Sequence, residues 1–349
     1  MASCFIQTSA FEFPLADIEE TAERNGLLSM EIEFSRRCNY RCPYCYVPRN
    51  PDLARELSRG EIKDLMRQAK ALGARKIIIL GGEPSIYPHL LEMIDFIRDR
   101  GMAVEMFTNG SGIDATMAEA LAERAVRVVL KMNSFDETVQ DRLTGIKGSY
   151  RQIRDTLDHL GRAGYPSEER FLAVSTVICR ENQGEILDMW QWLRDRAIAP
   201  YFEIITPQAN AMDHPELHVP PDELETLFNA IARLDRERYG LVWEPQPPLV
   251  GNKCLRHRFS CLVTARGDVL PCVGVTIPVG NVRETPLADI LRNSEVIRNL
   301  KHHRETIKGP CRDCDRAAEC YGCRGAAYQM TGDYLASDPL CWRNSSTAN

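Results

Sequence analysis

The feature that most constrains this chain is the placement of its cysteines. The chain has 349 residues and 13 cysteines, and all but Cys4 and Cys179 fall into two groups. The first group lies near the N-terminus and the second near the C-terminus, with an almost cysteine-free stretch between them. An odd number of cysteines in a long chain argues against a disulfide framework, and cysteines at tight spacing in such a chain are more often metal ligands. The pattern therefore predicts metal or iron–sulfur sites.

Composition narrows the class of protein further. With 44% hydrophobic and 26% charged residues the chain is typical of a globular protein rather than a disordered one. Its formal charge of −6 disfavours a nucleic-acid binder, whose surface should be basic. No apolar run is long enough to span a membrane, and residues 1–14 lack a secretory signal. We expect a cytoplasmic protein with neither nucleic acid nor a membrane as partner.

Strand and helix signals alternate between residues 30 and 206. The predicted strands cover residues 30–34, 76–80, 103–108, 126–132, 171–178 and 201–206. The predicted helices cover 58–72, which opens with the capping box Ser58 and Glu61, and then 87–98, 115–124, 149–163 and 183–195. Six such units are two short of a closed eightfold barrel, so the pattern predicts an α/β fold with a partial, open (β/α)6 TIM-like barrel.

The remaining sequence suggests four segments. We expect an N-terminal extension over 1–27, the partial barrel over 28–221, a connecting helix and linker over 222–248, and a small cysteine-rich domain over 249–349. Asp222 is a plausible N-cap for a helix over 223–239. The run from Gly267 to Cys272 has the pattern of a hairpin turn that enters a strand.

Three motifs follow the first three predicted strands, at the edge where such barrels carry their chemistry. They are Cys38-x3-Cys42-x2-Cys45, then Gly81-Gly82-Glu83-Pro84, then Thr108-Asn109-Gly110. Three thiolates on one loop can hold three irons of a 4Fe–4S cluster and leave the fourth iron open. Taken singly, the cysteine motif also suits a zinc site one ligand short, and the two glycine motifs also suit ordinary turns.

Together these motifs resemble the signature of the radical S-adenosylmethionine (SAM) enzymes. In that family the open iron binds the amino and carboxylate groups of SAM, and one electron from the reduced cluster cleaves SAM to a 5′-deoxyadenosyl radical that abstracts a substrate hydrogen. The resemblance implies that Gly81, Gly82, Glu83 and Pro84 bind the methionine amino group, with the Glu83 carboxylate facing the ammonium, and that Asn109 lies near the cofactor. It also implies an electron donor such as flavodoxin or ferredoxin.

The chain departs from many relatives after the fourth strand, where Lys131-Met-Asn-Ser134 replaces a Ser-x-Asp-Gly motif. The cofactor-binding candidates there are Lys131, Ser134 and Arg142, the last as a partner of the methionine carboxylate or as a surface charge. Ser175 and Glu203, on the fifth and sixth strands, are candidates for cofactor or substrate binding. Tyr40, Tyr44 and Tyr46 are expected to form an apolar shell around the cluster.

The second cysteine group is the right size for two fully ligated 4Fe–4S clusters. It resembles the SPASM extension of the radical SAM family, over about residues 249–343, with Cys320-x2-Cys323 one residue shorter than in many relatives. The resemblance implies two auxiliary clusters and hence three 4Fe–4S clusters in all. The implied ligand sets are Cys254, Cys261, Cys272 and Cys323 for the first, and Cys311, Cys314, Cys320 and Cys341 for the second. Two zinc-ribbon sites are the alternative, and the neighbouring His257, His302 and His303 are predicted to be surface residues.

These features predict a radical SAM oxidoreductase whose auxiliary clusters relay electrons. Cys179 ends the fifth strand, where its thiol is either a hydrogen-atom donor or a small apolar filler. Many peptide-modifying members of the family carry an N-terminal leader-binding domain, and the first strand begins too near the N-terminus to leave space for one. The expected substrate is therefore a small polar metabolite, such as a sugar, nucleoside or aminocyclitol. The alternatives are a peptide or protein side chain and, in a different class, a non-catalytic zinc or iron–sulfur binding module.

Overall fold

The computed structural model describes residues 12–345, so Cys4 lies outside the described residues. A single nine-stranded sheet runs in the order β6-β5-β4-β3-β2-β1-β7-β8-β9. Its strands are β1 Ser29–Glu33, β2 Lys76–Leu80, β3 Ala103–Thr108, β4 Arg127–Lys131, β5 Leu172–Ile178, β6 Ala199–Ile204, β7 Leu262–Val263, β8 Asp268–Leu270 and β9 Gly280–Asn281.

Helices follow the strands in the barrel and continue into the C-terminal region. They are α1 Leu15–Glu23, α2 Arg59–Ala71, α3 Leu90–Arg98, α4 Ala115–Glu123, α5 Glu137–Thr144, α6 Ser149–Arg162, α7 Ile186–Arg194, α8 Pro221–Leu234, α9 Leu287–Asn293, α10 Glu295–Lys301, α11 His303–Thr306, α12 Arg324–Thr331 and α13 Trp342–Ser345. None of the helices within residues 12–345 has the length and apolar character needed to cross a membrane.

The first six strands are parallel and pair in sequence order, which confirms the predicted partial barrel. Side chains alternate across each strand, so the two faces of β1 differ in character. Met30 and Ile32 lie in the core between the sheet and the helices, whereas Glu31 faces the concave interior. The outer face of β1 therefore packs into the barrel core, and its inner face carries polar side chains.

Two local features differ from the sequence prediction. The helix α5 was not predicted, although Asp136 caps it by accepting a hydrogen bond from the Val139 N–H at 2.9 Å. The predicted cap Asp222 is wrong, because α8 begins at Pro221 and its N-cap is Pro220. Proline is favoured in the first turn of a helix because its missing N–H has no partner there in any case. The capping box of Ser58 and Glu61 is confirmed in both halves.

The C-terminal region continues the barrel sheet rather than standing apart from it. Strand β7 pairs in parallel with β1, and β8 and β9 add antiparallel strands beyond it. At the opposite edge, the Val250 N–H donates to the Phe202 carbonyl at 2.9 Å and so covers β6. The chain from Val250 to Cys261 therefore crosses from one edge of the six-stranded barrel to the other.

Candidate active site

A cavity of about 350 Å³ opens at the carboxyl ends of the barrel strands. All three cysteines of the first group line it. Three cysteines of the second group, Cys254, Cys272 and Cys323, line the same cavity. Two cysteine groups that are far apart in sequence thus face one space.

The first cysteine group lies on the loop after β1, which is held by neighbouring loops. The Arg41 N–H donates to the Thr144 carbonyl at 2.8 Å, and the Asn210 N–H donates to the Cys45 carbonyl at 3.3 Å. The pKa of Cys38 is raised to about 11 and that of Cys42 to about 12, mainly by burial and to a smaller extent by the nearby Cys45. Three adjacent, half-buried thiols on one loop fit three irons of a 4Fe–4S cluster.

The tyrosines around this loop have distinct contacts. Tyr40, Tyr44 and Tyr46 all line the cavity, as expected of an apolar shell. The Asn133 amide donates to the Tyr44 hydroxyl at 2.6 Å, and the Tyr40 hydroxyl donates to Gln152. These hydrogen bonds fix the rings beside the thiols.

The Gly81-Gly82 pair packs directly on the cysteine loop. The Gly82 N–H donates to the Ser35 carbonyl and the Glu83 N–H to the Arg37 carbonyl, each at 2.8 Å. A Cβ atom on Gly81 or Gly82 would collide with those two carbonyl oxygens, and Gly81 has a φ of +131°. Glycine is required here because only a chain without Cβ can approach so closely.

Glu83 joins the second and third motifs. One carboxylate oxygen accepts hydrogen bonds from the Ser85 N–H and the Thr108 hydroxyl, and the other accepts from the Asn109 N–H at 2.6 Å. Burial raises the Glu83 pKa, and these hydrogen bonds oppose that rise. The carboxylate that the resemblance assigned to the SAM ammonium is therefore already engaged as a brace between two loops.

Asn109 lies where the sequence placed it, on the cavity wall. Its side-chain amide donates to Asn39 Oδ1 at 3.1 Å, and the Ser111 hydroxyl donates to the same side-chain oxygen. Sequence reasoning missed Asn39 and Ser111, because neither belongs to a motif.

Lys131, Ser175 and Glu203 face the cavity from three successive strands. The Lys131 amine donates to the Ser175 hydroxyl at 3.2 Å. Burial lowers the Lys131 pKa and raises the Glu203 pKa, and each charge opposes the shift of the other. The three side chains form a polar site that can bind or exchange protons with a ligand.

Four of the residues predicted to bind the cofactor or to donate hydrogen do not line this cavity. Ser134 is buried and donates to Glu185 at 2.6 Å, and Arg142 pairs with Glu181 at the surface. Pro84 starts a short 3₁₀ helix behind the loop. Cys179 is fully buried in an apolar cluster, which agrees with the filler interpretation rather than with a hydrogen donor facing substrate.

The second cysteine group divides into two sets of neighbours. Cys254, Cys272 and Cys323 share the cavity and raise one another's pKa values, although burial contributes more. The other set is Cys311, Cys314, Cys320 and Cys341, whose thiols are likewise electrostatic neighbours. Thus Cys320 and Cys323, close in sequence, point to different sets.

Backbone N–H groups donate to the thiols of both sets. Val275 donates to Cys272 Sγ at 3.4 Å, and Gly322 donates to Cys320 Sγ at 3.3 Å. Such N–H···S contacts are the usual environment of iron–sulfur ligands and tune cluster potential. The donor chemistry of both sets fits 4Fe–4S clusters.

Asp338 connects the two sets. It is fully buried, its carboxylate accepts from the Cys323 N–H at 2.7 Å, and its own N–H donates to Cys311 Sγ at 3.4 Å. Sequence reasoning missed it because a lone aspartate after the cysteine motif carries no spacing signal.

The histidines of this region are not all surface residues. His302 is exposed as predicted, but His257 and His303 are each only 3% exposed. Both rings pack on Tyr321, at 5.1 and 5.3 Å between ring centroids, and Tyr321 also contacts Cys254 Sγ at 3.3 Å. The prediction that His257 and His303 are surface residues is wrong. The elements that carry them are too short to show a hydrophobic periodicity from which burial could be predicted.

Glu31 is a further cavity residue that sequence reasoning missed. It lies on β1, lines the cavity and forms an ion pair with Arg256. The alternating run at residues 30–34 contained the signal, because it places the two glutamates on the face opposite to the apolar residues.

Comparison with known proteins agrees with this geometry. Models of the radical SAM superfamily and of the SPASM iron–sulfur cluster-binding domain match residues 32–193 and 254–315. A PqqA peptide cyclase from Streptomyces rochei is 30% identical over 344 residues, covering 89% of this chain and 88% of the relative. An AdoMet-dependent heme synthase from Methanosarcina barkeri (strain Fusaro / DSM 804) is 26% identical over 337 residues, covering 88% and 94%.

Two solved structures share the fold. Streptococcus suis SuiB bound to its precursor peptide SuiA has a TM-score of 0.72 at 16% identity, over 93% of this chain and 78% of that one. The enzyme anSMEcpe with bound AdoMet has a TM-score of 0.67 at 14% identity, over 89% and 90%. The chain belongs to the radical SAM superfamily, in the group of enzymes with a SPASM domain, and its cofactors are 4Fe–4S clusters and SAM.

Proposed function

We propose that this enzyme modifies a side chain of a peptide or protein substrate. The observation that carries the proposal is the 30% identity to a PqqA peptide cyclase, which extends over nearly the whole of both chains. The expectation of a small polar metabolite has less support than this alternative. That expectation relied on the shortness of the segment before β1. The peptide cyclase nevertheless aligns with 89% of this chain, so a short segment does not argue against a peptide substrate.

The proposal assigns the SAM-binding cluster to Cys38, Cys42 and Cys45, and one auxiliary cluster to the second-group thiols that line the same cavity. When bound, these cofactors supply a 5′-deoxyadenosyl radical and an acceptor for one electron from the substrate. The thiols assigned to both clusters line a single cavity, which supports loss of a hydrogen atom and of an electron from one bound substrate. The remaining set, Cys311, Cys314, Cys320 and Cys341, is assigned to the second auxiliary cluster.

The polar site on β4 to β6 is assigned to the substrate. Oxidation of a substrate radical to a stable product also releases a proton, which needs an acceptor. The Glu203 carboxylate faces the cavity and is placed to take that proton, while Lys131, held by Ser175, is placed to bind a substrate carboxylate or carbonyl.

A precursor of heme is the second candidate substrate. The alignment with the heme synthase from M. barkeri covers 94% of that enzyme, so its overall organisation is close to that of this chain. Oxidation of a carboxylate-bearing tetrapyrrole would use the same lysine and glutamate.

The test uses anaerobically reconstituted enzyme with dithionite and SAM. The probes are a synthetic PqqA peptide, synthetic peptides for short reading frames beside the gene, a heme precursor, and a panel of sugars, nucleosides and aminocyclitols. We expect a peptide to accelerate 5′-deoxyadenosine release. Mass spectrometry should then show that this peptide has lost hydrogen atoms. Acceleration by a small metabolite and by none of the peptides would overturn the proposal.

The control variant replaces Cys38, Cys42 and Cys45 with alanine. It should abolish SAM cleavage and retain about eight of about twelve irons per chain, because the auxiliary sets are left intact. Full SAM cleavage by this variant would contradict the assignment of the first cysteine group.

A further inference from the structure

Cys261, the fourth cysteine expected for the first auxiliary set, faces away from the other three. Strand β7 follows it directly, and Leu262 pairs in register with Glu31. Glu31 faces the cavity, so Leu262 shares that face, and the alternation of a strand places Cys261 and Val263 on the opposite one. Both indeed belong to the apolar core between the sheet and the helices.

The surroundings of Cys261 agree with this orientation. Its side chain is 1% exposed, and its carbonyl accepts from the Glu31 N–H at 2.9 Å, which fixes the strand pairing. Burial raises its pKa to about 12, and the charged neighbour that opposes this rise is Lys301, on a helix of the outer layer. A ligand in this position would require the first residues of β7 to leave the sheet.

His257 lies on the cavity side instead. It is one turn after Cys254, it lines the cavity with the thiols of Cys254, Cys272 and Cys323, and it is 3% exposed. Its Nδ1 atom is buried and has no hydrogen-bond partner. An imidazole nitrogen that no protein group occupies can present its lone pair to a metal.

We propose that the auxiliary cluster at the cavity is held by the thiolates of Cys254, Cys272 and Cys323 and by His257 Nδ1, and that Cys261 is a core residue. This proposal rests on the assignment of a cluster to these thiols in the proposed function. Histidine is a known substitute for cysteine in iron–sulfur centres and raises their potential. A more oxidising cluster beside the cavity suits the acceptance of an electron from substrate.

The experiment compares reconstituted variants by iron content and by pulsed EPR of the reduced auxiliary clusters, with histidine labelled by ¹⁵N. Cys261→Val keeps an apolar side chain of similar size in the core and should retain about twelve irons per chain, whereas Cys254→Ala should lose about four. Wild type should show a strong ¹⁵N coupling, which His257→Gln should abolish.

His303→Gln is the matched control, because His303 is equally buried and packs on the same tyrosine as His257. It should keep the ¹⁵N coupling. Loss of about four irons in both Cys261→Val and Cys261→Ala, with wild-type circular dichroism, would overturn the proposal. So would a wild-type spectrum without ¹⁵N coupling, or a coupling that survives in His257→Gln.

These readouts need no substrate. If no peptide is modified, the proposed substrate class fails while the ligand set is still decided by iron and spectrum. If the ¹⁵N coupling is absent while a peptide is modified, only the ligand set fails.

Discussion

The hydrogen bonds that Glu83 makes between two loops predict that SAM affinity depends on Thr108, a buried residue of the cavity wall. Glu83 is 4% exposed and accepts three hydrogen bonds, from Ser85, Thr108 and Asn109. A hydrogen bond to a charged group contributes about 1.5–3 kcal/mol. Residues 81–83 and 107–109 line the cavity, and Glu83 joins the two segments. The loss of a hydrogen bond between them should therefore weaken the binding of SAM.

Glu83→Gln keeps one acceptor oxygen but turns an amide toward a backbone N–H, and should cost about 2 kcal/mol, or roughly 30-fold in Kd. Thr108→Val removes the hydroxyl donor and should cost about 1.5 kcal/mol, or roughly tenfold. The double variant should be less impaired than the sum by about 1 kcal/mol, since both changes break the same bond. Thr108→Ser keeps the hydroxyl and should bind SAM nearly as wild type does.

The assay is anaerobic equilibrium dialysis of SAM against reconstituted enzyme, with iron content measured for every variant. If Glu83 acts only by contact with the SAM ammonium, Thr108→Val will bind SAM normally and the two effects will add within about 0.3 kcal/mol. That result would refute the brace and restore the role expected from the sequence.

Three further perturbations test other parts of the site. Glu203→Gln should cut product formation by about 100-fold while 5′-deoxyadenosine is still released, because the proton acceptor is lost; equal loss of both would contradict this role. Tyr321→Phe should lower the potential of the cavity cluster in EPR-monitored titration, because the hydroxyl 3.3 Å from Cys254 Sγ is removed; an unchanged potential would count against it. Burial lowers the His303 pKa to about 4, below the 6.5 of the unfolded chain, so the free energy of unfolding should fall as pH drops from 6.5 to 4, by at most about 3 kcal/mol. In denaturant titrations, His303→Phe should weaken this dependence of the free energy of unfolding on pH. His302→Gln, which changes an exposed histidine, should leave it unchanged. The same pH dependence in wild type and both variants would exclude His303 as the cause.

The pattern of apolar residues in the sequence was sufficient to predict the partial barrel. Buried parallel strands are continuous apolar runs, so 76–80 and 103–108 were predicted to the residue. Once the strands are placed, parallel pairing brings their carboxyl ends to one edge, and the first three motifs meet there. Long, strongly patterned elements thus carry enough local information to specify their own position.

What sequence could not supply is the direction of single side chains. Arg142 and Ser134 follow β4, where cofactor-binding groups are expected. Arg142 instead pairs with Glu181 on the β5–α7 connection, and Ser134 donates to Glu185 at the start of α7. Cys261 has a cysteine spacing suited to a cluster, yet the register of a two-residue strand turns it into the core. Such outcomes depend on pairing between distant segments, which spacing does not encode.

The segment from Val250 to Cys261 explains why the two cysteine groups share a cavity. A barrel of six strands leaves two free edges, β1 and β6, and exposed edges are normally covered. This segment leaves β6 at Val250, crosses the opening and joins β1 at Cys261. Cys254 and His257 lie on that crossing, so the chain that covers the open side of the barrel also brings a thiol and an imidazole to the cavity that the first cysteine loop lines. The gap in the barrel, rather than a separate docking of two domains, thus brings the two cysteine groups to one cavity.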